Sequence, residues 1–371
     1  MDVNSTGLHT IDVWFREDGT YFDKIVISTN PAFSPTGFGP DESERLNACE
    51  TFPSTRILTP RQGDVQTSTT LTVETVTCLD ETDHAGWGVK FEIDGGFSGG
   101  GSEEVVTSPP YTTSFTGLVQ AEHSIDIVLV DDQSVEQSGD DVSDFISDVG
   151  VGDYYVAFGD SITFGVGDDE PSDDTSIDGR NTGGGYTPIL NDILTSNKNY
   201  PHTIENEGFP GITSIDALNI VTEVIARHPN ANFYLLKLGM NDARPNSSTP
   251  SGLGLSSGDA GYSGSFKDNM QQMISAITAT GAQVALARVN VALGDFFDST
   301  PYPVPEDGAR SINIAEYNLV IDELIGDNSL AITPPDFFNY FLENFGTEYS
   351  DNIHPNGIGY DSMADLWAEE L

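Results

Sequence analysis

Tyr154-Tyr155-Val156-Ala157-Phe158-Gly159-Asp160-Ser161-Ile162-Thr163 is the stretch on which the reading of this chain turns. A short apolar run, suited to a buried strand, ends in Gly-Asp-Ser, so the serine hydroxyl would stand at the mouth of a sheet as a candidate nucleophile. Gly-Asp-Ser is also an ordinary strand-to-turn sequence. Position 163 is Thr rather than Gly, so the segment is not the Gly-X-Ser-X-Gly elbow of α/β-hydrolases. Downstream the rhythm repeats. Strand-like runs at Tyr154 to Phe158, His202 to Glu205, Phe233 to Leu238, Gln283 to Val289 and Leu330 to Thr333 alternate with helical patterns. The helical patterns lie at Tyr186 to Ser196, Ser214 to Arg227, Phe266 to Ala279, Ile312 to Leu324 and Gly357 to Leu371. Strand-then-helix spacing predicts parallel βαβ units in an open, doubly wound α/β sheet, with ligands bound at the carboxyl ends of the strands.

A serine hydroxyl is a poor nucleophile at neutral pH and needs an imidazole to take its proton. Of the six histidines only His354 has an Asp three residues earlier, in Asp351-Asn352-Ile353-His354-Pro355-Asn356-Gly357. One turn can carry both side chains, the carboxylate holding the ring as in serine triads. Acidic residues are common here, and Glu81-X-X-His84 is a similar pair, read as a surface loop. Gly239-Met240-Asn241-Asp242 follows another strand end; Asn241 there could donate to a developing oxyanion or simply cap the next segment. Asn206 to Thr213 supplies a third glycine-bearing loop before a helix.

Taken in order, these segments resemble the blocks of the SGNH (GDSL-type) hydrolase family over roughly Asp153 to Leu371. Gly159-Asp160-Ser161 matches the nucleophile block, Gly211 the glycine of the second, Gly239-X-Asn241-Asp242 the third and Asp351-X-X-His354 the last. The resemblance implies a flavodoxin-like parallel sheet with flanking helices. It also implies a serine carboxylester hydrolase whose catalytic residues are Ser161, Asp351, His354, Gly211 and Asn241, using no metal and no organic cofactor. The implied substrate is a short-chain acyl or acetyl ester, on a small molecule or a carbohydrate. A polysaccharide (xylan-type) acetylesterase and a lipase of the same fold are alternatives. A reading of another class is a non-catalytic carbohydrate-binding or adhesive protein; retention of all five residues argues against it. A phosphatase or metalloenzyme would need a ligand cluster that His9, His84, His123, His202 and His228 do not provide.

The front of the chain reads as β structure. His9 to Ser28 alternates apolar and polar residues around Asp18-Gly19, a β-hairpin pattern, and Pro31 to Pro40 reads as a loop. Residues 1–63 resemble the last strands of galactose-binding-like jelly-roll modules, as a truncated unit. Short β runs at Thr70 to Cys78, Trp87 to Ile93, Thr112 to Phe115 and Ser124 to Val130 suggest a small sandwich over 64–132. With Val89 to Gly95 on a central strand it resembles bacterial immunoglobulin-like domains. Residues 133–152 read as a polar, acidic linker to the catalytic domain at 153–371.

Among 371 residues, 14 Lys+Arg against 59 Asp+Glu give a formal net charge of -45. Such a surface repels nucleic acid and anionic membranes. It also repels itself, and salt shortens that repulsion, so a salt-tolerant protein whose melting temperature rises with added NaCl is expected. No apolar run is long enough to span a bilayer. The start lacks a signal-peptide pattern, and a secreted or periplasmic protein from which the signal has been removed is the expectation. Cys49 and Cys78 could form a disulfide or remain two thiols. The acidic loop Val166 to Gly185 could hold Ca²⁺ or be simply solvated. The Gly- and Ser-rich stretch Ala243 to Gly264 reads as a lid or a surface insertion beside the site.

Overall fold

A computed structural model describes residues 52–80, 82–96, 100–139, 141–170, 184–295 and 301–371. All of these belong to one compact unit, Cys49–Leu371. The expected hairpin at His9 to Ser28, the loop at Pro31 to Pro40, and residues 171–183 of the acidic loop, with its Ca²⁺ question, lie outside the described residues.

The first eight strands alternate along their length. They are β1 (Ser54–Thr59), β2 (Val65–Gln66), β3 (Thr70–Cys78), β4 (Gly88–Ile93), β5 (Ser102–Val106), β6 (Thr112–Thr116), β7 (Ala121–Val130) and β8 (Ser143–Val151). They form a three-stranded sheet, β1-β3-β6, and a five-stranded sheet, β2-β8-β7-β4-β5. On β3, Leu71 and Val73 are buried while Thr70, Thr72 and Glu74 face solvent. On β7 His123, Ile125, Ile127 and Leu129 are buried, every second residue as the pleat requires, and Val130 at the strand end is buried too. Residues of both sheets meet in one apolar cluster with Phe91 and Phe115 at its centre. Burying each such side chain contributes about 1.5–3 kcal/mol.

Two boundaries move. The stretch 133–152, expected as a linker, contains β8, which pairs antiparallel with β7 from Ser143↔Val128 to Ala121↔Val151. Its outer face is polar and acidic, which hid it; Val149 and Val151 are buried. Likewise β1 pairs with β3 from Ser54↔Cys78 to Thr59↔Glu74, so 54–59 belongs with the strands that follow. Between β8 and the next strand stands a single residue, Gly152, where a Cβ would meet the Pro201 carbonyl oxygen at 1.8 Å. Only glycine lets these backbones approach so closely.

From Asp153 the architecture becomes α/β. Strands β9 (Asp153–Gly159), β10 (His202–Gly208), β11 (Phe233–Lys237) and β12 (Gln283–Leu286) are parallel, in the order β10-β9-β11-β12. Tyr155, Val156, Ala157 and Phe158 are all buried, the near-continuous apolar run of a strand covered on both faces. Around them lie α1 (Ser161–Phe164), α2 (Tyr186–Lys198), α3 (Ser214–Arg227), α4 (Phe266–Thr278), α5 (Ala309–Asn328), α6 (Phe337–Glu348) and α7 (Gly357–Glu370). Thr213 starts α3 through a capping box with Asp216. Because the chain leaves β9 first toward β10 and then crosses to β11 on the other side, the switch point lies at the carboxyl end of β9, directly before Ser161.

The expected strand Leu330 to Thr333 does not form. Pro334 and Pro335 supply no N–H to a ladder; Leu330 N–H instead closes onto the Ile325 carbonyl at 3.1 Å, and Arg288 N–H reaches the Pro335 carbonyl at 3.2 Å. Helix α6 was not expected; Asp336 caps it, and Phe337 and Phe341, one turn apart, are buried.

Candidate active site

Asp160 closes β9 and caps α1, its Oδ1 accepting the Ile162 N–H at 2.9 Å. That cap sets Ser161 as the first helical residue, its hydroxyl over the end of the central strand. Beneath it Lys237, the last residue of β11, places Nζ 3.9 Å from Asp160 Oδ1, and both side chains are fully buried. Among the described residues neither Lys237 Nζ nor Asp160 Oδ2 has a hydrogen-bond partner. Burial pushes the Lys237 ammonium below its ordinary pKa and the Asp160 charge pulls it back.

The turn 351–354 delivers the base. His354 Nε2 stands 2.9 Å from Ser161 Oγ, and His354 Nδ1 stands 2.7 Å from Asp351 Oδ2. Asp351 Oδ1 also accepts the N–H groups of Ile353 (2.7 Å) and His354 (2.9 Å). Burial would raise the Asp351 carboxyl, but the imidazole and these two amides outweigh it and hold it below the usual range. An ionised Asp351 takes the Nδ1–H and leaves Nε2 free to accept the serine proton. The turn is anchored on both sides: Ser350 N–H donates to the His354 carbonyl at 2.9 Å, and Asp169 Oδ1 accepts the Gly357 N–H at 2.8 Å.

Gly211 and Asn241 complete the rim. Gly211 has φ +84°, a left-handed backbone that suits glycine. Asn241 Nδ2 donates to the Ile212 carbonyl at 3.0 Å, which leaves its second N–H for a ligand, and its Oδ1 accepts from Arg244 Nη2 at 2.9 Å. Ser161, Gly211, Asn241 and His354 line one cavity of 290 Å³, together with Arg244 and Arg310. A nucleophile, a base, an orienting carboxylate and donors aimed at a common space are the parts that acyl transfer needs.

Residues 157–361 match the model of the GDSL-like Lipase/Acylhydrolase family. The chain belongs to this family. No curated protein matches it. Among solved structures it is similar to the lipase/acylhydrolase from Enterococcus faecalis, at 20% identity over 59% of this chain and 95% of that chain, with a TM-score of 0.41. It is also similar to the acetyl xylan esterase AlAXEase, at 19% identity over 59% and 100%, with a TM-score of 0.42. A third is Axe2, an acetylxylan esterase from Geobacillus stearothermophilus, at 18% identity over 59% and 94%, with a TM-score of 0.43.

All five residues singled out in the sequence of this GDSL-like hydrolase meet at one place, and several that were not singled out hold them there. Asp242 accepts the Ser214 N–H (2.9 Å) and the Ser214 hydroxyl (2.6 Å), tying the Asn241 loop to the start of α3 just beyond Gly211. Burial pushes the Asp242 carboxyl up, against those hydrogen bonds. On α5, Arg310, Asn313 and Tyr317 share one face at helical spacing and bond three carbonyls of the same loop: Met240 at 3.1 Å, Ala243 at 3.2 Å and Asp242 at 2.9 Å. That spacing was legible as a face of a helix but not as a clamp, because nothing local says what the face meets. The stretch from Ala243 to Gly264 is pinned to α5 as well, by Ser251 to Glu316 (2.7 Å) and by Gly254 N–H to Glu323 (3.0 Å). Of that stretch, Arg244 alone lines the cavity.

Proposed function

We propose that this hydrolase is a serine carboxylester hydrolase acting on short-chain acyl or acetyl esters. The observation that carries the reading is the continuous series Asp351–His354–Ser161, with contacts of 2.7 and 2.9 Å. In the reaction His354 Nε2 takes the Ser161 proton and the alkoxide attacks the ester carbonyl. The oxyanion is met by the N–H groups of Ser161 and Gly211 and by the Asn241 amide. His354 then protonates the departing alcohol. Water, deprotonated by the same imidazole, attacks the acyl-enzyme, and collapse returns the serine and a carboxylic acid. A 290 Å³ cavity favours a short acyl group over a long chain. Acetyl groups on a polysaccharide are the variant of this reading to test beside simple esters. Residues 54–151 we read as an immunoglobulin-like accessory domain of an exported protein, a location in keeping with the disulfide at Cys78.

The test is hydrolysis of p-nitrophenyl acetate, butyrate and laurate by the intact protein and by Ser161→Ala. The expected outcome is fastest turnover of acetate or butyrate, and a loss of about 10⁴-fold or more in kcat for Ser161→Ala. Equal rates in the two proteins would remove Ser161 as nucleophile.

A further inference from the structure

The wall of the cavity is cationic in a chain that is otherwise overwhelmingly acidic. Arg244 and Arg310 both line it, and among the described residues no carboxylate does, although Asp+Glu outnumber Lys+Arg by 59 to 14. Arg310 is 2% exposed. Its Nε meets Asp295 at 3.3 Å and its Nη1 the Met240 carbonyl at 3.1 Å, which leaves the fork's Nη2 without a hydrogen bond among the described residues. Arg244 spends only Nη2, on Asn241 Oδ1 (2.9 Å) and the Gly211 carbonyl (3.3 Å), and has no carboxylate within salt-bridge distance among the described residues. Burial depresses the Arg310 pKa and the charge of Arg244 adds to that, so the two guanidinium groups repel each other across the same space. Two planar donors lining one cavity, one buried and one without a counter-ion among the described residues, leave a place that an anion would relieve. A carboxylate takes two parallel N–H donors from such a fork.

We propose that Arg244 and Arg310 form an anion subsite, and that the preferred ester carries a carboxylate close to its scissile carbonyl. This rests on the esterase reading and adds the substrate class. The carboxylate can belong to the acyl part, as in a dicarboxylate half-ester, or to the alcohol part, as in an acetylated uronate. The chemistry at the arginines is the same. The overall negative charge of the protein repels such a substrate at a distance, but salt screens that field over about 10 Å at 0.1 M while contacts inside the cavity persist.

The experiment compares kcat/KM within two matched pairs in buffer with 0.1 M NaCl. One pair is mono-p-nitrophenyl glutarate against p-nitrophenyl pentanoate; the other is acetylated galacturonate oligosaccharide against acetylated xylo-oligosaccharide. The expected result is a preference of about tenfold or more for the anionic member of one pair, which also says where the carboxylate sits. In Arg244→Gln that ratio falls toward one, and in Arg244→Glu it inverts. Because Arg244 also braces Asn241, both members slow together in these variants, and only the ratio reports on the subsite. Arg310→Lys, which keeps the charge and loses the fork, lowers the ratio less. Equal rates within both pairs for the unmodified protein, or a ratio unchanged in Arg244→Gln, overturns the subsite while leaving the esterase intact. Should no ester be cleaved, the esterase reading fails. Calorimetric titration of glutarate and galacturonate oligomers into the unmodified protein and Arg244→Gln then decides the subsite alone. Binding lost in the variant supports it, and no binding to either protein overturns it.

Discussion

The two halves of the described chain bury different things. In strands β1 to β8 the shared core is aliphatic and aromatic, built around Phe91, Ile125 and Ile127, and most polar side chains stand on the outer pleat. In the α/β half the sheet is covered on both faces, and at the carboxyl ends of its strands Asp160, Lys237, Asn241, Asp242, Arg310 and His354 are buried as well. Burying such groups costs several kcal/mol unless each finds partners. The front half keeps its interior mostly apolar, with His123 on β7 a buried exception, bonded to Asp94 at 2.8 Å. The back half keeps charges and amides in place for chemistry, held by neighbours such as Tyr317 and Ser214.

The widest separation is expected from a cavity in the front core. Phe91→Ala should cost about 3–5 kcal/mol of stability, read as a denaturant midpoint, with kcat per folded molecule unchanged. A fall in kcat would show that the seam at Gly152 transmits strain and that the halves are not independent. The converse substitution is Asn241→Ala, which removes a polar group and leaves the core. It should lower kcat by about 10²–10³-fold, worth roughly 3–4 kcal/mol of transition-state stabilisation, with little change in thermal stability. Equal losses of stability and activity would make Asn241 a capping residue, the other reading of its turn.

The smallest expected effect lies at the seam itself. Burial would raise the Asp153 carboxyl, but the His202 imidazole 3.6 Å away and hydrogen bonds from Asn232 and Tyr200 hold it down to about 2. Its folded value is below the unfolded one, so its contribution is present above about pH 4 and is lost as the pH falls toward 2. Urea midpoints between pH 6 and pH 2.5 should drop less steeply in Asp153→Asn, by roughly 2 kcal/mol over the range. An unchanged slope would place the acid sensitivity elsewhere, with Glu207, held to about 2 against its own burial by His228 and Arg227, the next group to replace.

The seam also marks where sequence reading stopped. Residues 143–151 have a polar, acidic outer face, and their composition resembles that of a linker; only the partner strand β7 makes a strand of them. Leu330 to Thr333 is the opposite case, an apolar run whose two following prolines cannot join a ladder. In the α/β half β9 and β11 were legible because Tyr154 to Phe158 and Phe233 to Leu236 are apolar runs, and Thr70 to Cys78 was legible because Leu71 and Val73 alternate with polar neighbours.

What the sequence determined by itself is local: the Gly159-Asp160-Ser161 turn at a strand end, the Asp351–His354 pair on one turn, and the alternation of strands and helices from Asp153 to about Leu324. These follow from steric and hydrogen-bonding preferences that act over a few residues. The tertiary structure alone decided that Ser161 and His354 stand 2.9 Å apart across 193 residues. It alone paired Lys237 with Asp160 and brought Arg244 and Arg310 to one wall. Such contacts are made by chain topology and packing, and spacing along the sequence carries no record of distance once the chain has crossed the sheet.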